Sequence, residues 1–203
     1  EREFQALVAG NRNICFHESR MREWTFENDD GKNPMMDKAK AFASNWDEIK
    51  HKRAGLILFG GVGSGKTYMA AAIANALLDK GLRVLMKDFA EISNISIFDA
   101  DEYVASLSSY DLVILDDLGA ERMSEWVGEQ VFAILNYRYS HGLQTIITTN
   151  YGLKALAERM VMSGKDRDSG NDVQSRRILS RICGMCHIVE VRGRDFRMHQ
   201  SSA

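Results

Sequence analysis

Gly60-Gly61-Val62-Gly63-Ser64-Gly65-Lys66-Thr67 is the stretch of this 203-residue chain with the plainest chemical content. Its spacing is G-x-x-x-x-G-K-T. Glycines let a backbone curl until successive N–H groups point inward at phosphate oxygens. A helix starting near Gly65 adds its positive end. Lys66 supplies a point charge for the outer phosphates, and the Thr67 hydroxyl can ligate magnesium. The pattern predicts a triphosphate site for ATP or ADP with Mg2+. The expected contacts are Gly61, Val62, Gly63, Ser64, Gly65, Lys66, Thr67 and Tyr68.

Two further clusters suit the same chemistry. Leu112-Val113-Ile114-Leu115 ends in Asp116 and Asp117, two acids at the tip of an apolar strand. Asp116 is expected to hold magnesium, through water, as the ion bridges the outer phosphates. Asp117 can orient and polarise the attacking water. Glu121 is a weaker candidate acid, past the strand end. Thr148-Thr149-Asn150 closes another apolar run, where Asn150 can orient a water and sense the terminal phosphate. The plainer alternative is that Asn150 opens a turn.

Arg177 and Arg181 lie on one face of a predicted helix, just before Cys183-Gly184-Met185-Cys186-His187. That C-x-x-C-H spelling matches a haem attachment site. Haem attachment needs export, and the N-terminus lacks the charged-then-apolar pattern of a signal peptide. Zinc needs a fourth ligand and Cys15 is isolated. Redox pairs sit at helix N-termini, whereas this one follows a helix end. The cysteines are therefore read as small apolar residues in a turn.

These groups need a scaffold. GLILFG (55–60), LRVLM (82–86), DLVILDDLG (111–119), QTIITTN (144–150) and HIVEV (187–191) read as strands too apolar to be half exposed. Helices are predicted at 67–81, 124–142 with Ser124 as N-cap, in GLKALAERM and in SRRILSRI. Residues 91–109 are ambiguous, with a helix start at DADEY. VMSGKDRDSGND (161–172) reads as a mobile loop. The first 34 residues read as polar and irregular, and one helix is expected over MMDKAKAFASNWDEIK after Pro34. Alternating strands and helices predict an α/β fold with a parallel sheet covered on both faces, and ligands at the strand C-termini. The expected division is an N-terminal linker or helical segment over 1–50 and a nucleotide-binding domain over 51–203.

A 45% hydrophobic and 27% charged composition is that of a globular chain. Net charge is −2, so no global basic signal points to nucleic acid, although the part after Met160 is mildly basic. No apolar run approaches membrane-spanning length. Three cysteines are too few for a disulfide framework, which makes a reducing cytosol the expected location.

GLILFGGVGSGKTYMAAAIANAL, LVILDDLGAER and TIITTN, in this order, resemble the AAA+ ATPases of the bacterial helicase-loader group, the DnaC/DnaI type. The same core resembles IstB, the transposition helper ATPase. The resemblance covers roughly residues 50 to 200. It implies a P-loop NTPase with a central five-stranded parallel sheet and a reduced or absent helical lid. It also implies self-assembly with ATP between subunits, and work on a replicative helicase and single-stranded DNA. By this resemblance Arg181 reaches the neighbouring subunit's nucleotide and Arg197 touches the nucleotide in cis. Asp117 stands where many relatives have a glutamate, which implies slow hydrolysis, as in a switch. The segment 89–109 matches a loader insertion facing DNA, where Phe89, Phe98 and Tyr103 could stack on bases or pack in the core. About 50 residues precede the core, without a cysteine cluster for zinc. The helicase-binding domain of such loaders is then expected either to lie outside this chain or never to have been part of the protein.

Overall fold

A computed structural model describes residues 1–94, 100–120, 124–160 and 171–193. Five strands form one sheet: β1 (Gly55–Phe59), β2 (Val84–Asp88), β3 (Leu112–Asp116), β4 (Gln144–Thr149) and β5 (Cys186–Glu190). Their order is β2-β3-β4-β1-β5 and every pair is parallel. The apolar runs become strands because both faces are covered. Leu56, Leu58, Leu112, Ile114 and Ile146 point to one core, and Ile57, Val113, Leu115 and Ile147 to the other. Each such side chain contributes roughly 1.5–3 kcal/mol by leaving water.

Helix α4 (Lys66–Asp79) crosses the first face, and its alanines Ala70, Ala71, Ala72 and Ala74 are fully buried. Small side chains let it lie between the sheet and the helices outside it. Those are α1 (Arg2–Cys15), α2 (Met36–Ser44) and α3 (Trp46–Lys52). The second face carries α5 (Phe89–Ser93), α6 (Ala100–Ser106), α7 (Glu125–His141), α8 (Leu153–Met160) and α9 (Asn171–Met185). Ser124 caps α7 as expected, its Oγ accepting from the Val127 amide at 3.2 Å. Gly142 ends that helix at φ 63°, a left-handed stop that glycine adopts without strain.

Several expectations are corrected. The first 34 residues are not irregular: α1 occupies 2–15, and a 3-10 turn spans Ser19–Glu23. Val8, Asn11 and Cys15 supply the buried stripe of α1, which a polar average conceals. The single helix after Pro34 is two, broken at Asn45 (φ −95°, ψ 28°), so that Trp46 can turn into the core. The packing draws no line at residue 50, since Phe16, Met21, Met36, Phe42 and Trp46 share one core with β1–β3. The C-x-x-C stretch is no turn. Helix α9 runs through Cys183 to Met185, and Cys186 is already the first residue of β5. Phe89 is 1% exposed and belongs to the second core, where Tyr103 also packs; that removes Phe89 from base stacking. Phe98, Glu121, Arg197 and residues 161–170 lie outside the described residues.

Candidate functional site

The loop between β1 and α4 turns through Gly60, Gly63 and Gly65, at φ 158°, 73° and 90°. The last two values are costly for any side chain. At Gly60 a Cβ would also lie 2.3 Å from the Val191 carbonyl oxygen. The curl leaves Val62 63% exposed at the loop tip and buries Ser64 and Lys66 beneath it. The Lys66 ammonium donates to the carbonyls of Gly60 (3.0 Å) and Gly61 (2.8 Å), and to Asn150 Oδ1 (2.8 Å). It therefore braces the loop from inside, with its charge at the loop's centre.

Asn150 is the hinge of this arrangement. While its Oδ1 accepts from Lys66, its Nδ2 donates to Asp117 Oδ1 at 2.9 Å. Asp117 sits at φ 58°, a left-handed backbone uncommon outside glycine, asparagine and aspartate. Its amide donates to Thr148 Oγ1 (2.9 Å), which holds that conformation. The same Thr148 hydroxyl donates to Asp116 Oδ1 at 2.6 Å. Thus one threonine of β4 ties Asp116 at the end of β3 and Asp117 just past it, and the two strand tips present one polar surface. Asp116 is 5% exposed, and burial pushes its carboxyl above the ordinary range. The Thr148 hydroxyl, His17 and the Thr67 hydroxyl work against that rise, while Asp117 adds to it. A buried carboxylate flanked by two hydroxyls has unmet demand for positive charge.

The donor set fits a magnesium ion. Thr67 and Asp116 offer hard oxygens side by side, and magnesium in such sites takes one or two protein oxygens, with phosphate and water filling the rest. Among the described residues no group of three or more His, Cys, Asp or Glu could hold a metal by itself.

These residues border a cleft of about 470 Å³ lined by Val62, Gly63, Gly65, Lys66, Thr67, Tyr68, Asp117 and Asn150. Its remaining wall is Arg20 and Trp24, which the sequence reading missed. They belong to the arm between α1 and α2. Asn75 of α4, 1% exposed, holds that arm by donating to the carbonyls of Met21 (2.9 Å) and Trp24 (3.0 Å). Tyr68 adds a hydrogen bond to the Thr25 carbonyl (3.0 Å) and a ring stack on Trp24 at 5.6 Å. Trp24, with Met21 and Phe26 near it among charged residues, was the available signal. A second cleft of about 240 Å³ adjoins at Gly65 and Tyr68, lined also by Asn28, Asp29, Asp30, Asn33 and Met36.

Arg181 is not part of this cleft. Its Nε donates to Asn136 Oδ1 (2.9 Å) and its guanidinium lies 4.8 Å over the Tyr139 ring, both on α7. Arg177 lies 5.9 Å over Phe132 in the same way. Two arginines are thus laid across the outer aromatic face of α7.

A five-stranded parallel sheet, a glycine-rich loop feeding a helix, and paired acids beside a polar strand tip define a P-loop NTPase domain of the AAA+ class. The chain belongs to the family of IstB-like ATP binding proteins, whose sequence model matches residues 22–203. It is 31% identical over 152 residues to the replicative helicase loader DnaI of Bacillus subtilis, covering 72% of this chain and 48% of that protein. To the replicative helicase loader DnaC of Escherichia coli K12 it is 28% identical over 143 residues, 65% of this chain and 57% of the other. The crystal structure of DnaI superposes with a TM-score of 0.74 at 27% identity, covering 88% of this chain and 96% of that one. The chain spans about half the length of the curated relatives it matches. Among the described residues no helix is long and apolar enough to cross a membrane.

Proposed function

We propose that this chain is the ATPase unit of a replicative helicase loader, binding ATP with magnesium in the cleft between the glycine loop and the strand tips. The observation that carries the ATPase reading is the hydrogen-bonded line from Lys66 through Asn150 to Asp117. It joins the cation expected to meet the outer phosphates to the acid that would polarise water. On this reading the glycine-loop amides and Lys66 hold the phosphates, and the Lys66 ammonium exchanges its loop carbonyls for phosphate oxygens. Thr67 and Asp116 hold magnesium, which supplies charge neutralisation at the outer phosphates. Asp117 orients and polarises the attacking water, and Asn150 keeps that carboxylate in register with Lys66. Asp117 is shorter than glutamate and fixed by Thr148 and Asn150, a geometry suited to a slow, partner-stimulated switch. Arg181 acts in trans, leaving Tyr139 and Asn136 for a neighbouring copy's nucleotide in an oligomer. Single-stranded DNA and the helicase are the partners, with helicase contact made through a domain outside this chain.

A second reading, a transposition helper, is favoured by the family model spanning residues 22–203. Co-precipitation of the full-length protein with the replicative helicase, with this chain as control, tests the first. The loader reading expects retention of the helicase by the full-length protein with ATP; a protein that ignores helicase yet assembles on duplex DNA with ATP would overturn it. Lys66→Ala tests the site itself, and unaltered ATP binding in that variant would refute it.

A further inference from the structure

We infer that Arg20, on the arm between α1 and α2, is a second cationic contact for the terminal phosphate, delivered by the same chain that holds the nucleotide. The inference rests on the ATP-site reading above and adds a residue that none of its motifs contains. Arg20 borders the cleft together with Lys66, Asp117 and Asn150, the three groups that mark its outer-phosphate end. Among the residues lining the cleft, Lys66 and Arg20 are the cations and Asp117 is the acid. With magnesium on the Thr67 and Asp116 side and Lys66 at the loop, a terminal phosphate still meets the Asp117 carboxylate, where a further cation is favourable. A guanidinium offers that charge as a planar fork that matches phosphate oxygens.

The arm is built to hold Arg20 there. Asn75 grips the carbonyls of Met21, next to Arg20, and of Trp24 from a buried position on α4. The guanidinium lies 5.3 Å over the Trp24 ring, and Trp24 in turn stacks on Tyr68. Its carboxylate partner is Glu18, in an ion pair whose side chains are 65% and 42% exposed. Exposed pairs of this kind are weak, so Glu18 gives way to a phosphate at little cost. The aromatic stack remains as the pivot. With the terminal phosphate against Asp117 and Asn150, as the ATP-site reading has it, a diphosphate would stop short of them, so the contact would belong to the triphosphate and distinguish ATP from ADP.

The test is titration calorimetry of ATP and ADP, each with magnesium, against the wild-type chain and the Arg20→Ala and Arg20→Lys variants. Arg20→Ala is expected to weaken ATP by about tenfold while changing ADP by less than about twofold, with Arg20→Lys restoring only part of the loss. An unchanged ratio of ATP to ADP affinity in Arg20→Ala would overturn the inference, as would an equal loss for both nucleotides, which marks a structural role. A wild-type chain that binds neither nucleotide would instead overturn the ATP-site reading.

Discussion

Asp117 combines an unusual backbone with a site position, and the two have one cause. At φ 58° its side chain leaves the alternation of β3 and meets Asn150 at the cleft. Asparagine tolerates the same conformation, so Asp117→Asn is expected to keep fold and ATP affinity while lowering turnover by about 10² or more. Single-turnover hydrolysis beside a binding isotherm checks it. Asp116 makes a different prediction. Burial raises its carboxyl, so ionising it costs the empty protein stability. That protein is expected to be more stable as pH falls into the carboxylate range, and to lose the increment as pH rises through the folded value. Asp116→Asn keeps an acceptor for the Thr148 and Thr67 hydroxyls without the charge. Its melting temperature without nucleotide should rise by a few degrees, and its magnesium-dependent ATP affinity should fall.

Among the elements, the arm between α1 and α2 is the least expected and the most consequential. Asn75→Ala removes the donor to Met21 and Trp24 and leaves their carbonyls without it. A loss of about 1–3 kcal/mol in urea unfolding is expected, together with weaker nucleotide binding, although Asn75 does not line the cleft. Unfolding curves with and without ATP separate the two effects. The arm also shows what the sequence could reveal. That the glycine loop, the acids at the tip of β3 and the tip of β4 meet at one cleft was legible because each is a contiguous motif at the end of an apolar strand. All five strands were legible because a sheet buried on both faces leaves uninterrupted apolar runs. The arm was not, because Arg20 and Trp24 acquire their place through Tyr68 and Asn75, residues distant in the sequence. The break at Asn45 and the extent of α9 were hidden for a related reason. Both depend on which side chains the tertiary core accepts.

For the whole molecule, the expectation concerns assembly. Arg181 rests on α7, outside its own cleft, so Arg181→Ala is expected to leave ATP affinity of the isolated chain within about twofold and to cut turnover of an assembled form by 10³-fold or more. Turnover measured across a concentration series spanning assembly decides this; unchanged activity at the highest concentration excludes the trans role. The connection from α9 to the sheet gives that role a mechanical side. Met185 ends the helix and Cys186 begins β5, with no loop between them. Strand β5 lies in register against β1 from Gly55↔Cys186 to Phe59↔Glu190, and the Val191 amide then donates to the Phe59 carbonyl at 2.7 Å. The joint that would let α9 swing independently is missing. A displacement of α9 would therefore pull directly on β5, the strand paired with β1, whose last residue leads into the glycine loop.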